Sequence, residues 1–240
     1  MAIRLPKSQQ NVGNVIAIIG KTGTGKSTSI KTLDPRETVI LNLLSKRLPF
    51  RGSDKMYNEA SKNIFAVDTY DKIIAVINNI SEKAPHVKNV IIDDISFLMR
   101  KEFFARSKER GYEKFNDIGT HMQQVIVACE RTRPDLNVFL MFHAEDVVDG
   151  GDIVEYKIAT VGKMVDQSYN PLEVVEVALF SSSVFDDDGK ISYGFYTKRQ
   201  KVDGVVVPAK SPDGMFKESF IPNDLGMVIK AIDDYHNAEN

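Results

Sequence analysis

The chain has 240 residues, 42% hydrophobic and 27% charged, the balance of an ordinary folded globular protein. At about 150 residues per domain, that length holds one large domain or one domain with an appendage, enough to bury a core without metal or disulfide staples. The 31 basic and 33 acidic side chains leave a net charge of −2, which excludes a global positive field for nucleic acid and leaves local patches to be sought. The single cysteine, Cys129, excludes an internal disulfide and a cysteine-cluster metal site. Set in the apolar run Val125 to Cys129, it reads as a buried small hydrophobe. Met1 to Asn14 is polar, with no apolar stretch ahead of a small-residue cleavage site. Nothing approaches the roughly 20 apolar residues of a membrane span. A soluble, cytoplasmic protein without membrane contacts is expected.

Short apolar runs alternate with amphipathic segments, the pattern of an α/β domain with a mainly parallel sheet. Val15 to Ile19 is a fully apolar strand ending at Gly20, and Lys26 to Leu33 reads as a short helix stopped ahead of Asp34-Pro35. Thr38 to Leu43 is a second strand, followed by an irregular Lys/Arg-rich stretch from Ser45 to Asn58. Ile64 to Val67 is a third. Asp68 or Thr69 then caps a helix along which Ile73, Ile74, Val76, Ile77 and Ile80 recur at helical spacing. Asn89 to Asp93 and Asn137 to Phe142 are the fourth and fifth strands, with helical patterns between them. Beyond Ala144 the character changes. Ile153 to Val161, Val174 to Phe185 and Ile191 to Lys198 show β-branched alternation, and Asp186-Asp187-Asp188-Gly189 makes the hairpin turn between the last two. Asp224 to His236 is a terminal helix. With no repeat and no dividing linker, one domain over residues 1–240 is expected: a core at about 13–145, then an antiparallel, β-rich extension and the terminal helix at about 150–237.

Gly20-Lys21-Thr22-Gly23-Thr24-Gly25-Lys26-Ser27 matches G-x-x-x-x-G-K-[ST] in full, between an apolar strand and a helix as that mechanism demands. Its glycines let successive backbone N–H groups turn inward around phosphates at the positive end of the helix. Gly20, Thr22, Gly23, Thr24, Gly25, Lys26, Ser27 and Thr28 are therefore the nucleotide-binding candidates. Lys26 reaches the β- and γ-phosphates, and Ser27 ligates Mg²⁺. A second carboxylate is needed at a neighbouring strand end; Val90-Ile91-Ile92-Asp93-Asp94 supplies Asp93 for the metal. Asp94 has two readings, polarising the attacking water or capping the helix that begins at Ile95-Ser96. His143, ending the fifth strand, either senses the γ-phosphate or merely bonds to backbone; His86, His121 and His236 show no partner pattern. No N-K-x-D segment exists to read guanine, and no Arg-rich lid marks a small-molecule kinase, so ATP is the expected nucleotide.

The P-loop, the Asp93-Asp94 strand end and His143 together resemble the RecA-like ATPase core. The likeness is closest to the small phage-encoded nucleotide-binding proteins of that group, including the Sak-type single-strand annealing ATPases. It is carried further by the order of Tyr112 to Gly119, Asn137 to His143, Val161-Gly162-Lys163, Pro208-Ala209-Lys210 and Phe220 to Leu225, and spans most of residues 13–236. The resemblance implies ATP and Mg²⁺ as cofactors, a homo-oligomeric ring or filament, and single-stranded DNA as ligand in phage recombination or replication. It further implies a single-strand-binding or replication protein as partner, and the host cytoplasm as compartment. One departure stands out: RecA-type enzymes carry a glutamate just after the second strand, where this chain has Ser45-Lys46. Either Asp94 takes that role or hydrolysis is slow.

In RecA-like proteins the loops after the fourth and fifth strands face DNA. The first corresponds to Arg100 to Lys114, where Arg106, Lys108, Arg110 and Lys114 are interleaved with Tyr112 and other aromatics. Cations for phosphates and rings for bases suit single-strand binding, although an amphipathic helix with a solvated face has the same look. The second stretch, Ala144 to Gly162, is acidic, against phosphate contact there. Lys198 and Arg199 either complete the site of a neighbouring subunit, as basic residues do in ring ATPases, or solubilise a strand end. The principal alternative to DNA action is an ATP-switched helicase loader or assembly adaptor that contacts protein; a metabolic P-loop kinase is the third.

Overall fold

The computed structural model describes residues 12–168, 170–185 and 188–237. Its strands are β1 (Asn14–Gly20), β2 (Thr38–Asn42), β3 (Ile64–Ala66), β4 (Asn89–Asp93), β5 (Asn137–Asp149), β6 (Asp152–Ile158), β7 (Val177–Phe185), β8 (Ile191–Tyr196), β9 (Gln200–Val202), β10 (Val205–Val207) and β11 (Phe220–Pro222). The longer helices are α1 (Tyr70–Lys83), α2 (Ser96–Ala105), α3 (Glu113–Glu130) and α4 (Leu225–Asn237). The main sheet runs β11-β8-β7-β1-β5-β4-β2-β3. From β7 to β3 neighbours are parallel, and β8 and β11 add an antiparallel edge. This is a mixed α/β P-loop core.

The central strands are apolar throughout because both faces are covered. Val15, Ala17 and Ile19 face a core built with Ile73 and Ile77 of α1, Leu98 and Met99 of α2, and Ile118, Met122 and Val125 of α3. Ile16 and Ile18 face the other way, toward Ile30, Leu225, Val228 and Ile232. Thr69 caps α1, accepting from the Lys72 N–H at 3.4 Å. Cys129 is buried, and burial pushes its thiol pKa up.

At the opposite end of the strands from the P-loop, four strands begin on polar residues in register. Asn14 Nδ2 donates to Asn137 Oδ1 at 2.9 Å, Asn137 Nδ2 to Asn89 Oδ1 at 3.1 Å, and Asn89 Nδ2 to Thr38 Oγ1 at 3.4 Å. This buried ladder joins β1, β5, β4 and β2 and penalises any slip in their pairing.

Several boundaries differ from the sequence expectation. Ser27–Thr32 is a 3-10 helix, ending at an extended Leu33 ahead of Asp34-Pro35. The fifth strand does not stop at Phe142. It runs on to Asp149 and pairs antiparallel with β6 through Gly150-Gly151, both at positive φ. The acidic residues from Glu145 to Asp152 thus lie on a hairpin arm rather than in a loop, and β10 and β9 extend the arm into a small second sheet. Pro171–Val174 is a helical turn capped by Asn170, so β7 starts only at Val177. Asp186 and Asp187 of the expected turn, and Met1 to Asn11 of the polar N-terminal stretch, lie outside the described residues. Among the described residues no helix is long and apolar enough to cross a membrane.

Candidate functional site

Gly20 ends β1, and the chain turns through Gly23 and Gly25 before Ser27 opens the 3-10 helix. Thr24 Oγ1 closes the turn by donating to the Lys21 carbonyl at 2.8 Å. Gly25 sits at φ +94°, the left-handed region where a side chain is strained. A Cβ there would also come 3.1 Å from Tyr193 Cδ1. The loop opens onto a cleft of about 1060 Å³ lined by Thr22, Gly23, Gly25, Lys26, Ser27 and Thr28 from the motif. Asp93, Asp94 and His143 line its other side.

Lys26 is buried, not surface-facing. Its ammonium donates to the carbonyls of Gly20 at 2.7 Å and Lys21 at 2.8 Å, inside the loop. Burial pulls its pKa down to about 8, against the opposing charges of Asp94 and Asp93. Ser27 Oγ donates to Asp93 Oδ1 at 2.9 Å. Burial, reinforced by the neighbouring Asp94, pushes the Asp93 carboxyl up to about 6. The hydroxyl and the carboxylate, both hard oxygen donors, fit Mg²⁺, which takes few protein ligands and completes its shell with water and phosphate oxygens.

Asp94 does not cap α2: the cap position is Ile95, without a side-chain bond. Asp94 has φ 62°, and its carboxylate turns into the cleft. Asp94 Oδ1 accepts from His143 Nε2 at 2.7 Å, and Oδ2 lies 3.6 Å from Lys46 Nζ. Burial opposes ionisation of Asp94, yet the His143 bond and the nearby cations hold it below its ordinary value. The His143 side chain is therefore engaged by Asp94. Its backbone N–H donates to Ser96 Oγ at 3.2 Å.

Among the cleft residues that the sequence reading does not single out are Lys46, Arg47 and Tyr193. Lys46 had a signal. Asn42 ends β2 beside Asp93, and its amide brackets the Lys46 backbone, donating to the carbonyl at 2.6 Å and accepting from the N–H at 3.3 Å. Arg100, counted with the DNA stretch, belongs here.

The DNA candidates divide. Arg106 is held by Glu102, Glu109 and Asp117 at 3.0, 2.9 and 2.7 Å. Lys114 is buried over Phe103 and Phe115 and donates to the Glu109 carbonyl at 3.0 Å. In the free chain, then, neither presents an unengaged cation to a phosphate: Arg106 is turned onto three carboxylates, and Lys114 onto backbone carbonyls and two rings. Lys108, Arg110 and Tyr112 remain exposed. Lys198 pairs with Asp213 at 3.1 Å and Arg199 with Glu155 of the arm at 2.9 Å; neither lines the cleft of its own chain. His121 and His236 do have partners, Glu102 at 3.1 Å and Glu176 at 3.3 Å.

No curated protein matches the chain. A family model described as AAA domain matches residues 13–182, a span that holds the P-loop, Asp93, Asp94 and His143. The chain belongs to the AAA domain family of P-loop ATPases.

Proposed function

We propose that the protein is a Mg²⁺-dependent ATPase in which Asp94, held by His143, orients the attacking water. The observation that carries this reading is the convergence in one cleft of Lys26, the Ser27–Asp93 pair and the Asp94–His143 pair. The loop N–H groups and Lys26 bind and align the phosphates, Lys26 exchanging its two loop carbonyls for phosphate oxygens. Ser27 and Asp93 hold the metal, which supplies charge neutralisation on the β- and γ-phosphates when bound. Asp94, with its pKa lowered, is a weak proton acceptor. Its contribution is to position water, which suffices for a loose phosphoryl-transfer transition state, and turnover is accordingly slow. The test is Mg²⁺-dependent phosphate release from ATP by the full chain: turnover abolished in Lys26→Ala supports the reading, and no turnover above buffer by wild type overturns it.

Two finer readings follow the nucleotide outward. His143 is the last β5 residue paired with β1, and Ala144 begins the arm. Lys21 of the P-loop also grips the arm through Asp146 at 2.6 Å. A phosphate-dependent shift at His143 and Lys21 thereby moves the arm, whose Val148, Ile153 and Val154 are exposed. That supports an ATP-switched adaptor contacting protein. Action on single-stranded DNA, in an oligomer of the phage recombination type, rests on Lys108, Arg110 and Tyr112 and on the order of motifs. ATP-dependent single-strand binding at two salt concentrations, with mass measured alongside, separates them: binding without a partner favours DNA.

A further inference from the structure

Resting on the ATPase reading, we infer that Tyr193 and Asn223 form the base-recognition wall of the nucleotide site and select adenine. Both lie beyond the matched span of residues 13–182, so this wall is supplied by the C-terminal extension.

The sheet order fixes which end of the nucleotide meets them. Asp93, Asp94 and His143 mark the γ-phosphate end, on the β5 and β4 side of β1. β8 and β11 lie on the other side, beyond β7. A triphosphate drawn along the loop from Asp93 sends its nucleoside toward Tyr193 of β8 and toward Asn223, which follows β11. The two residues are locked together, since the Asn223 N–H donates to the Tyr193 carbonyl at 3.1 Å. Both abut the loop: a Cβ on Gly25 would lie 3.1 Å from Tyr193 Cδ1 and 3.2 Å from Asn223 Nδ2.

The second observation is chemical. Asn223 Nδ2 and Oδ1 are both buried, and neither has a hydrogen-bond partner. Native structures leave few such groups, and each costs stability. An amide offers a donor beside an acceptor, the complement of adenine, whose N6 amino group donates next to the N7 acceptor. Guanine presents O6 and N7, two acceptors, and leaves the amide oxygen opposed. Tyr193 is 40% exposed and lines the cleft. Asn223 does not itself line the cleft, so the base reaches its buried amide only if the neighbouring chain, Tyr193 included, gives way; the Tyr193 ring then offers its face to the base, and stacking of that kind tolerates any base.

The test is competition binding to the full chain with ATP, GTP, the triphosphate of purine riboside (which lacks the 6-amino group) and tripolyphosphate. Wild type should prefer ATP to GTP by roughly ten- to hundredfold, the scale of one bidentate base contact. Asn223→Ala should bring that ratio close to one without changing tripolyphosphate affinity. Tyr193→Ala should weaken ATP and GTP by similar factors, with Tyr193→Phe restoring both. Equal wild-type affinity for ATP and GTP, or an undiminished ratio in Asn223→Ala, overturns the inference. Should Asn223→Ala not fold, wild type decides alone: the purine riboside compound binding as tightly as ATP overturns it, and weaker binding supports it. Failure of wild type to bind both ATP and tripolyphosphate overturns the ATPase reading and this inference with it. Tripolyphosphate binding without base preference overturns this inference only.

Discussion

His143 Nε2 donates to Asp94 Oδ1 at 2.7 Å, joining the end of β5's main-sheet segment to the residue that follows β4. Asp94 makes this bond from a left-handed backbone conformation (φ 62°), uncommon for residues other than glycine, asparagine and aspartate. Asp94→Asn should lower ATP turnover on the order of 10²-fold, the scale of a misplaced reacting group, with ATP affinity nearly unchanged. His143→Gln should reproduce most of that loss by releasing Asp94. Steady-state phosphate release, paired with nucleotide titration, checks both; wild-type turnover in His143→Gln would reduce the pair to a structural contact.

Lys26 carries a burial cost in the free protein. Its folded pKa, about 8, lies below the ordinary lysine value of 10.5. For a lysine depressed in this way, the related stability is present above pH 10.5 and lost as pH falls through about 8. Lys26→Met should therefore fold, and its stability relative to wild type should rise as pH falls across that window. Nucleotide binding should vanish. Urea unfolding of both proteins from pH 7.5 to 10.5 gives the difference; a flat difference refutes the burial argument.

Asp93 shows the opposite protonation. Its folded pKa is raised to about 6 from 3.8, so the associated stability is present below pH 3.8 and lost as pH rises through 6. Asp93→Asn should gain on wild type across that interval in metal-free buffer. At neutral pH the same variant should lose the stabilisation that Mg²⁺ with ATP gives wild type. Thermal melts with and without Mg²⁺ and ATP read both effects.

The fold and the candidate phosphate site are legible in the sequence because the signals that mark them are local. The P-loop is contiguous, and Asp93 follows an unbroken apolar strand. What was missed depends on approach between distant segments. Nothing in Arg100 to Lys114 says that Glu102 and Glu109, with Asp117, turn Arg106 inward, since that needs the α2–α3 packing angle. The hairpin arm was hidden because Phe142-His143-Ala144 continues a strand whose partner changes midway, from β1 to β6. Tyr193 looked like any alternating strand residue until β8 was placed beside the P-loop.

The asparagine ladder is a second non-local feature, with a faint signal in the repeated Asn-Val at the starts of β1, β4 and β5. Asn137 is its centre, donating to Asn89 and accepting from Asn14. Asn137→Ala strips a partner from each neighbour inside the protein. At about 1–3 kcal/mol for each unsatisfied buried group, a loss of roughly 2–4 kcal/mol is expected in urea unfolding. Asn14→Ala, at one end of the ladder, should cost less. Equal costs for the two would mean that the ladder is not a connected unit.

The exposed end of the α2–α3 connection yields the last prediction. If DNA is the ligand, Lys108 and Arg110 are the exposed candidate cations of this stretch, and Tyr112, 71% exposed, is the ring beside them. Neutralising both cations should shrink the log–log salt slope for single strands by about 1.4, at about 0.7 for each phosphate contact. Tyr112→Ala should weaken binding by about 1–3 kcal/mol with little salt dependence, because stacking is not an ionic interaction. Arg106→Ala should behave differently from both. It releases Glu102, Glu109 and Asp117 together, so it should lower the melting temperature while leaving the salt slope of the folded protein unchanged. A drop in slope for Arg106→Ala equal to that of either neighbour would show that its carboxylate partners give way to phosphate. Unchanged slopes in all three would leave this face without a nucleic-acid role and favour the arm as the working surface.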